Sequence, residues 1–162
     1  MTEPEFAPRA GAPLALAEDL RLLLAPNPSP MTERGTNTYL LGHGAVTVID
    51  PGPLDHAHLA AISAALAPSE RITQILVTHS HKDHSPAARA LAEATGAPIL
   101  AFGDSQAGRS ARMQALSGAE IGGGEGVDVG FTCDENLPDR TVIEAGDKEL
   151  TAIHTPGHLG NH

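Results

Sequence analysis

Apolar and polar positions change their period several times along the chain, and each change marks an element. Leu20, Leu22 and Leu24 alternate with Arg21 and Leu23, which predicts a strand; a short helix from Leu14 is the competing reading. Ala25-Pro26-Asn27-Pro28-Ser29-Pro30 excludes a helix or a central strand and predicts a turn or extended loop. Residues 38–41 and 45–50 predict a hairpin around Gly42-His43-Gly44, stopped by Pro51-Gly52-Pro53. Residues 54–67 place Leu59, Ile62 and Leu66 on one stripe, the pattern of a helix.

Residues 71–78 contain Ile72, Ile75, Leu76 and Val77 and become apolar on both faces, as a centrally buried strand does. A helix is expected next, with Ser85 as N-cap and Pro86 at its first position, ending at Thr95-Gly96. Residues 98–102 then read as a short strand, which completes a βαβ unit. Further on, residues 105–116 read as a helix and Gly122-Gly123-Gly124 with Gly126 as a flexible loop. Residues 141–144 and 149–154 read as a hairpin turned at Ala145-Gly146-Asp147-Lys148. Residues 1–25 form an N-terminal segment with a candidate first strand, its Pro/Ala-rich start loose or laid across the surface. Residues 26–162 form one α/β domain.

Composition narrows the function classes. The 162 residues carry 20 Asp+Glu against 10 Lys+Arg, a net charge of -10, which argues against broad binding to nucleic acid or to anionic membrane. Nine acidic residues fall between Gly118 and Glu149 (Glu120, Glu125, Asp128, Asp134, Glu135, Asp139, Glu144, Asp147 and Glu149), so this stretch supplies most of that charge. No apolar run is long enough to span a membrane, and the N-terminus lacks the pattern of a secretion signal. Cys133 is the only cysteine, which excludes an internal disulfide framework and a cysteine-based zinc cluster. A cytoplasmic location is the expectation.

The chemistry sits in the nine histidines. His79-Ser80-His81-Lys82-Asp83-His84 packs four metal-competent side chains into six residues at the end of the most apolar strand. In extended chain, residues two apart face the same way, so His79 and His81 can converge on one ion. Asp83 and His84 can face a second point nearby as the chain bends into the next helix. His154-Thr155-Pro156-Gly157-His158 is the second signal, a tight Pro-Gly turn that re-aims His158 after a strand. A solvated His-rich turn is the bland alternative, and three histidines with an aspartate at this spacing argue against it. His43, His56 and His58 are expected at the surface.

These two motifs, with Gly35-Thr36-Asn37-Thr38-Tyr39-Leu40-Leu41-Gly42 and Val48-Ile49-Asp50-Pro51-Gly52, resemble the metallo-β-lactamase superfamily, in particular its glyoxalase II-like and β-lactamase-like protein 2 branches. The resemblance runs from about Pro26 to His162. It implies an αββα sandwich, of which this chain would supply about the first half, with a two-zinc site on its edge; iron or manganese are the other candidate metals. Position by position, His79, His81 and His158 would hold the first metal, and Asp83 and His84 would contribute to the second. Asp83 would double as a proton acceptor. Asp50 would orient the metal ligands, against the alternative of a strand-end aspartate capping the Pro51-Gly52 turn. His154 and His162 would be neighbours rather than ligands.

The implied reaction is hydrolysis of an ester, thioester or lactone by a zinc-activated hydroxide. The acidic balance favours a small-molecule acyl substrate over nucleic acid, and no membrane partner is expected. A zinc-dependent ribonuclease of the same superfamily is the first alternative. The second is an inert fragment or metal-binding half-domain, because the bridging Asp and last His of the family have no match after His158. A fragment, or a chain whose remainder lies beyond these residues, is preferred over a half-domain completed by another chain or by a second copy.

Overall fold

The computed structural model describes residues 8–116 and 126–162. The first seven residues and the expected Gly122-Gly123-Gly124 loop lie outside the described residues. Leu14–Ala17 (β1) and Leu20–Leu24 (β2) form a tight antiparallel hairpin with a bulge between Ala15 and Ala17. The strand reading of this segment therefore holds and the helix reading fails. Pairing with a neighbouring strand outweighs the helix preference of the alanines. Of the Pro/Ala-rich start, Ala10 makes a single bridge to Leu24.

Asn37–Leu41 (β3) and Ala45–Ile49 (β4) form the expected hairpin, in which Leu40 faces Val48. His56–Ala64 (α1) follows, shorter at both ends than the apolar stripe suggests. Its N-cap is Asp55, whose side chain accepts from His58 N at 2.8 Å. Leu54 lies outside the helix and is exposed. Arg71–Leu76 (β5), Ala87–Thr95 (α2) and Ile99–Ala101 (β6) give the βαβ unit. The N-cap of α2 is Pro86 rather than Ser85. The Ser85 hydroxyl is drawn away to the His81 carbonyl (3.2 Å) and the Asp128 carboxylate (2.9 Å). Gly96 ends α2 in the left-handed conformation, as expected.

Only Ala111–Leu116 (α3) of the expected 105–116 helix is helical. Glu135–Asn136 (β7) is a short parallel strand that the pattern did not predict; it pairs with β6 at the sheet edge. The seven strands lie in the order β1-β2-β3-β4-β5-β6-β7, antiparallel as far as β4 and parallel beyond it. Val142–Ala145 (β8) and Lys148–Thr151 (β9) form a separate two-stranded sheet, the expected hairpin shifted by a residue or more at each end.

Helices α1 and α2 cover one face of the large sheet. Ile62 of α1 and Ala88, Leu91 and Ala92 of α2 share a core with Leu40, Val46, Val48, Ile75 and Ile99. Consecutive parallel crossovers of one hand require this shared face. Thr47 and Gln74 point to the opposite face, where Gln74 Nε2 donates to Thr47 Oγ1 (2.8 Å) and to the Glu144 carbonyl of β8 (2.5 Å). Layer order is thus helices, large sheet, then the small β8–β9 sheet, matching the mixed α/β sandwich implied by the sequence. The Arg21 guanidinium fastens β2 to the α1–β5 connection through both Glu70 carboxylate oxygens (2.8 and 3.0 Å) and the Ala65 carbonyl (2.8 Å).

His58 corrects the surface expectation. It is buried, its Nε2 is 2.8 Å from Thr38 Oγ1, and it packs beneath Gly52. It sits four residues before Ile62, on the same face of α1. His43 and His56 are exposed, as expected. Among the described residues, no helix is long and apolar enough to cross a membrane.

Candidate metal centre

Because β4, β5 and β6 are parallel, their C-terminal ends lie along one edge, where open α/β sheets place their ligands. Asp50 follows β4, and the His79–His84 motif follows β5. Gly52 N donates to the His84 carbonyl (3.0 Å) and Ala87 N to the Gly52 carbonyl (3.1 Å), which locks the two loops together. From the other side, Lys82 N donates to the Gly126 carbonyl and Asp128 N to the Ser80 carbonyl, both at 2.8 Å.

His79 and His81 converge as their spacing predicts: His79 Nε2 is 3.0 Å from His81 Nδ1. One nitrogen each from His79, His81 and His158 lies within 4.8 Å of the others. A tetrahedral ion with nitrogen ligands at about 2.0–2.1 Å holds them roughly 3.3 Å apart, so small side-chain shifts close this set onto one metal. Asn161, which is buried, delivers His158. Its Nδ2 donates to Ser80 Oγ and to the Asp104 carbonyl (both 3.1 Å), and its Oδ1 accepts from Ser80 N (3.4 Å) and Ser80 Oγ (3.3 Å). The residue between the two first histidines is thus keyed to the segment that carries the third. His154 stacks on Phe102 with ring centroids 3.7 Å apart and bonds the Gly160 carbonyl through Nε2 (2.8 Å).

A proton inventory fixes which nitrogens are bare. The Thr78 hydroxyl donates its one proton to Asp50 Oδ2 (2.7 Å), so it accepts from His79 Nδ1 at 2.9 Å. His79 Nε2 then faces the cluster with its lone pair. Asp50 Oδ2 also accepts from His84 Nδ1 (2.9 Å), which leaves His84 Nε2 directed to Asp83 Oδ2 at 3.3 Å. Asp50 Oδ1 accepts from Thr78 N (2.8 Å). Burial, and then the like charges of the surrounding imidazoles, push His79 down to about 3. Burial and the neighbouring His158 lower His81 as well. Burial opposes the charged form of His84, but the hydrogen bond to Asp50 and the charges of Asp50 and Asp83 outweigh it and raise its pKa.

The structure therefore brings His79, His81 and His158 to one point. Asp83 and His84 meet beside it, with the His84 ring 4.2 Å from that of His79. Asp50 lies behind His84 and Thr78 rather than at the cluster. The His162 ring comes to 5.1 Å from His79, while its Nδ1 bonds Thr155 Oγ1 (2.8 Å). Three residues to which the sequence reading gave no role serve the site: Thr78, Asn161, and Thr36, whose hydroxyl donates to Asp83 Oδ2 at 3.3 Å. A cleft of about 540 Å³ is lined by Asp50, Asp83 and His84 together with Met31, Arg34 and Tyr39. A bare His79 Nε2 beside the imidazoles of His81 and His158 suits a borderline divalent metal at this point.

Residues 31–162 match the family model described as the metallo-beta-lactamase superfamily. A beta-lactamase-like protein 2 homolog of Caenorhabditis elegans is 40% identical over 72 residues, 43% of this chain and 24% of that protein. A hydroxyacylglutathione hydrolase of Anaeromyxobacter dehalogenans is 36% identical over 122 residues, 75% of this chain and 38% of that protein. Among solved structures, a beta-lactamase domain protein from Burkholderia ambifaria superposes with TM-score 0.72 at 20% identity, over 98% of this chain and 52% of that one. The chain spans less than half the length of these two curated relatives.

Proposed function

This chain belongs to the metallo-β-lactamase superfamily, and from that premise we propose that it carries the metal-binding half of a hydrolase acting on a small ester, thioester or lactone. The observation that carries the reading is the convergence of three imidazole nitrogens within 4.8 Å, two of them from a loop braced on both sides. Zinc is the proposed metal, since an all-imidazole set with an open position suits it. When bound, such a metal polarises a substrate carbonyl and makes water acidic enough to attack near neutral pH.

The chain's own residues do the rest. His79, His81 and His158 hold the first metal, and Asp83 and His84 supply two donors for a second. Asp50 accepts from His84 Nδ1 and, through Thr78, from His79 Nδ1, which leaves His79 Nε2 bare and turns His84 Nε2 toward Asp83 Oδ2. Asp83, steadied by the Thr36 hydroxyl, stands at the cleft as the proton acceptor. Leu24, Met31 and Tyr39 give the cleft an apolar side for an acyl group. The net charge of -10 and the relative named as a hydrolase of an acylated thiol favour a small acyl substrate over RNA.

Zinc titration of the purified chain followed by thioester, ester and lactone assays tests the reading. Chelator-reversible turnover, lost in His81→Ala, is the expected result. Absence of zinc binding overturns the metal centre. Chelator-sensitive cleavage of single-stranded RNA without acyl turnover overturns the substrate class.

A further inference from the structure

His58 carries an observation that the metal centre does not use. It is 1% exposed, and its Nδ1 is buried without a hydrogen-bond partner. Its other nitrogen meets Thr38 Oγ1 at 2.8 Å, and that hydroxyl donates its one proton to the Asp50 backbone carbonyl at 2.7 Å. Thr38 can then only accept from His58, so the proton of the neutral ring sits on Nε2 and Nδ1 is left bare. An unpartnered buried nitrogen is a cost that ordinary packing by a leucine or phenylalanine would avoid.

Asp50 explains what this arrangement serves. Its φ of 50° lies in the left-handed region, where a residue other than glycine stays only if its surroundings hold it. Asp50 N donates to the Leu76 carbonyl (2.9 Å), and its side chain collects Thr78 N, Thr78 Oγ1 and His84 Nδ1. Its carbonyl is held by the Thr38 hydroxyl, and the hydroxyl's direction is set by His58. Gly52, at φ 85°, lies against the His58 ring and completes the turn that begins at Asp50.

We propose that His58 is a positioning residue for the metal centre: through Thr38 it fixes the left-handed turn at Asp50 and so aims His84 and His79. This rests on the metal-centre reading above. The relay reaches from α1 to the ligands without touching any of them, and every link is a donor–acceptor pair with one direction.

The test compares wild type with His58→Gln, His58→Leu and Ile62→Ala, reading zinc affinity by chelator competition and exchange of the Thr78 amide in the metal-free chain. Gln places its amide nitrogen where Nε2 sits and is expected to keep affinity within about twofold. Leu removes the donor and is expected to weaken zinc about tenfold and to speed Thr78 exchange. Ile62→Ala loosens the same helix without touching Asp50, so it lowers stability but leaves zinc affinity unchanged. Equal zinc affinity in His58→Leu and wild type overturns the relay while leaving the metal centre standing. Equal losses in His58→Leu and Ile62→Ala also overturn it, as a general effect of stability. A wild-type chain that binds no zinc overturns both readings.

Discussion

Replacing the buried Asn161 by alanine should both destabilise the chain and loosen the third imidazole. The Asn161 side chain spans two segments 81 residues apart, meeting Ser80 between His79 and His81, and also the Asp104 carbonyl. Alanine removes two donated bonds at 3.1 Å and one acceptor that faces Ser80 N and Oγ. Net hydrogen bonds are worth about 1 kcal/mol each, and leaving buried Ser80 groups unpaired adds to that, so the total is about 2–4 kcal/mol. Urea unfolding of the metal-free chain measures this as a lower midpoint at unchanged slope. The same change frees the segment that holds His158, so zinc affinity should fall about 10–100-fold. A stability loss under about 0.5 kcal/mol together with unchanged zinc affinity would refute the reasoning that Asn161 keys the third imidazole to the first two.

Three further outcomes are expected. His79 titrates at about 3 when folded against 6.5 when unfolded. Between those values the unfolded chain binds a proton that the folded chain refuses. The stability is therefore full above pH 6.5 and is lost as pH falls toward 3, by about 1.4 kcal/mol per pH unit. Urea midpoints of the metal-free chain from pH 7.5 to 4.5 should fall with pH and fall less steeply in His79→Asn, where His81 and His58, also lowered, still contribute; parallel slopes in the two proteins would contradict it. Glu70→Ala strips both charged bonds from the half-buried Arg21 and should cost about 2–3 kcal/mol in the same assay, with zinc affinity intact. Gly108→Ala directs a Cβ into the Gly160 carbonyl at φ 69°, so it should destabilise by about 2 kcal/mol or more and weaken zinc by displacing the His158 segment. Gly44→Ala, at a similar φ with open space around it, is the control and should cost only about 1 kcal/mol without touching zinc.

Where elements are short-range, the sequence carried them. The βαβ unit was legible because an apolar strand, a glycine stop and a second apolar strand follow one another within residues 71–101. The convergence of His79 and His81 was legible because extended chain has a period of two. Helix starts were not: Asp55 caps α1 through His58 N, and the Ser85 hydroxyl is drawn from the start of α2 to His81 and Asp128. Nor was β7: a two-residue strand has no period of its own, and only the exposed edge of β6 gives it a partner.

The chemistry at the centre divides in the same way. Spacing alone determined that His79, His81, Asp83 and His84 form a metal-competent set, because they share one loop. His158 was expected to join them from its Pro-Gly turn and the family resemblance, but only the tertiary structure shows what ties its segment to theirs, the buried Asn161. The tertiary structure also decided that His58, read as a surface residue, stands four residues from Ile62 on the buried face of α1 and reaches Asp50 through Thr38. The reason is physical. A ligand set within one loop is fixed by local backbone geometry, whereas the protons and lone pairs of those ligands are assigned by partners that meet only when separate strands and helices pack.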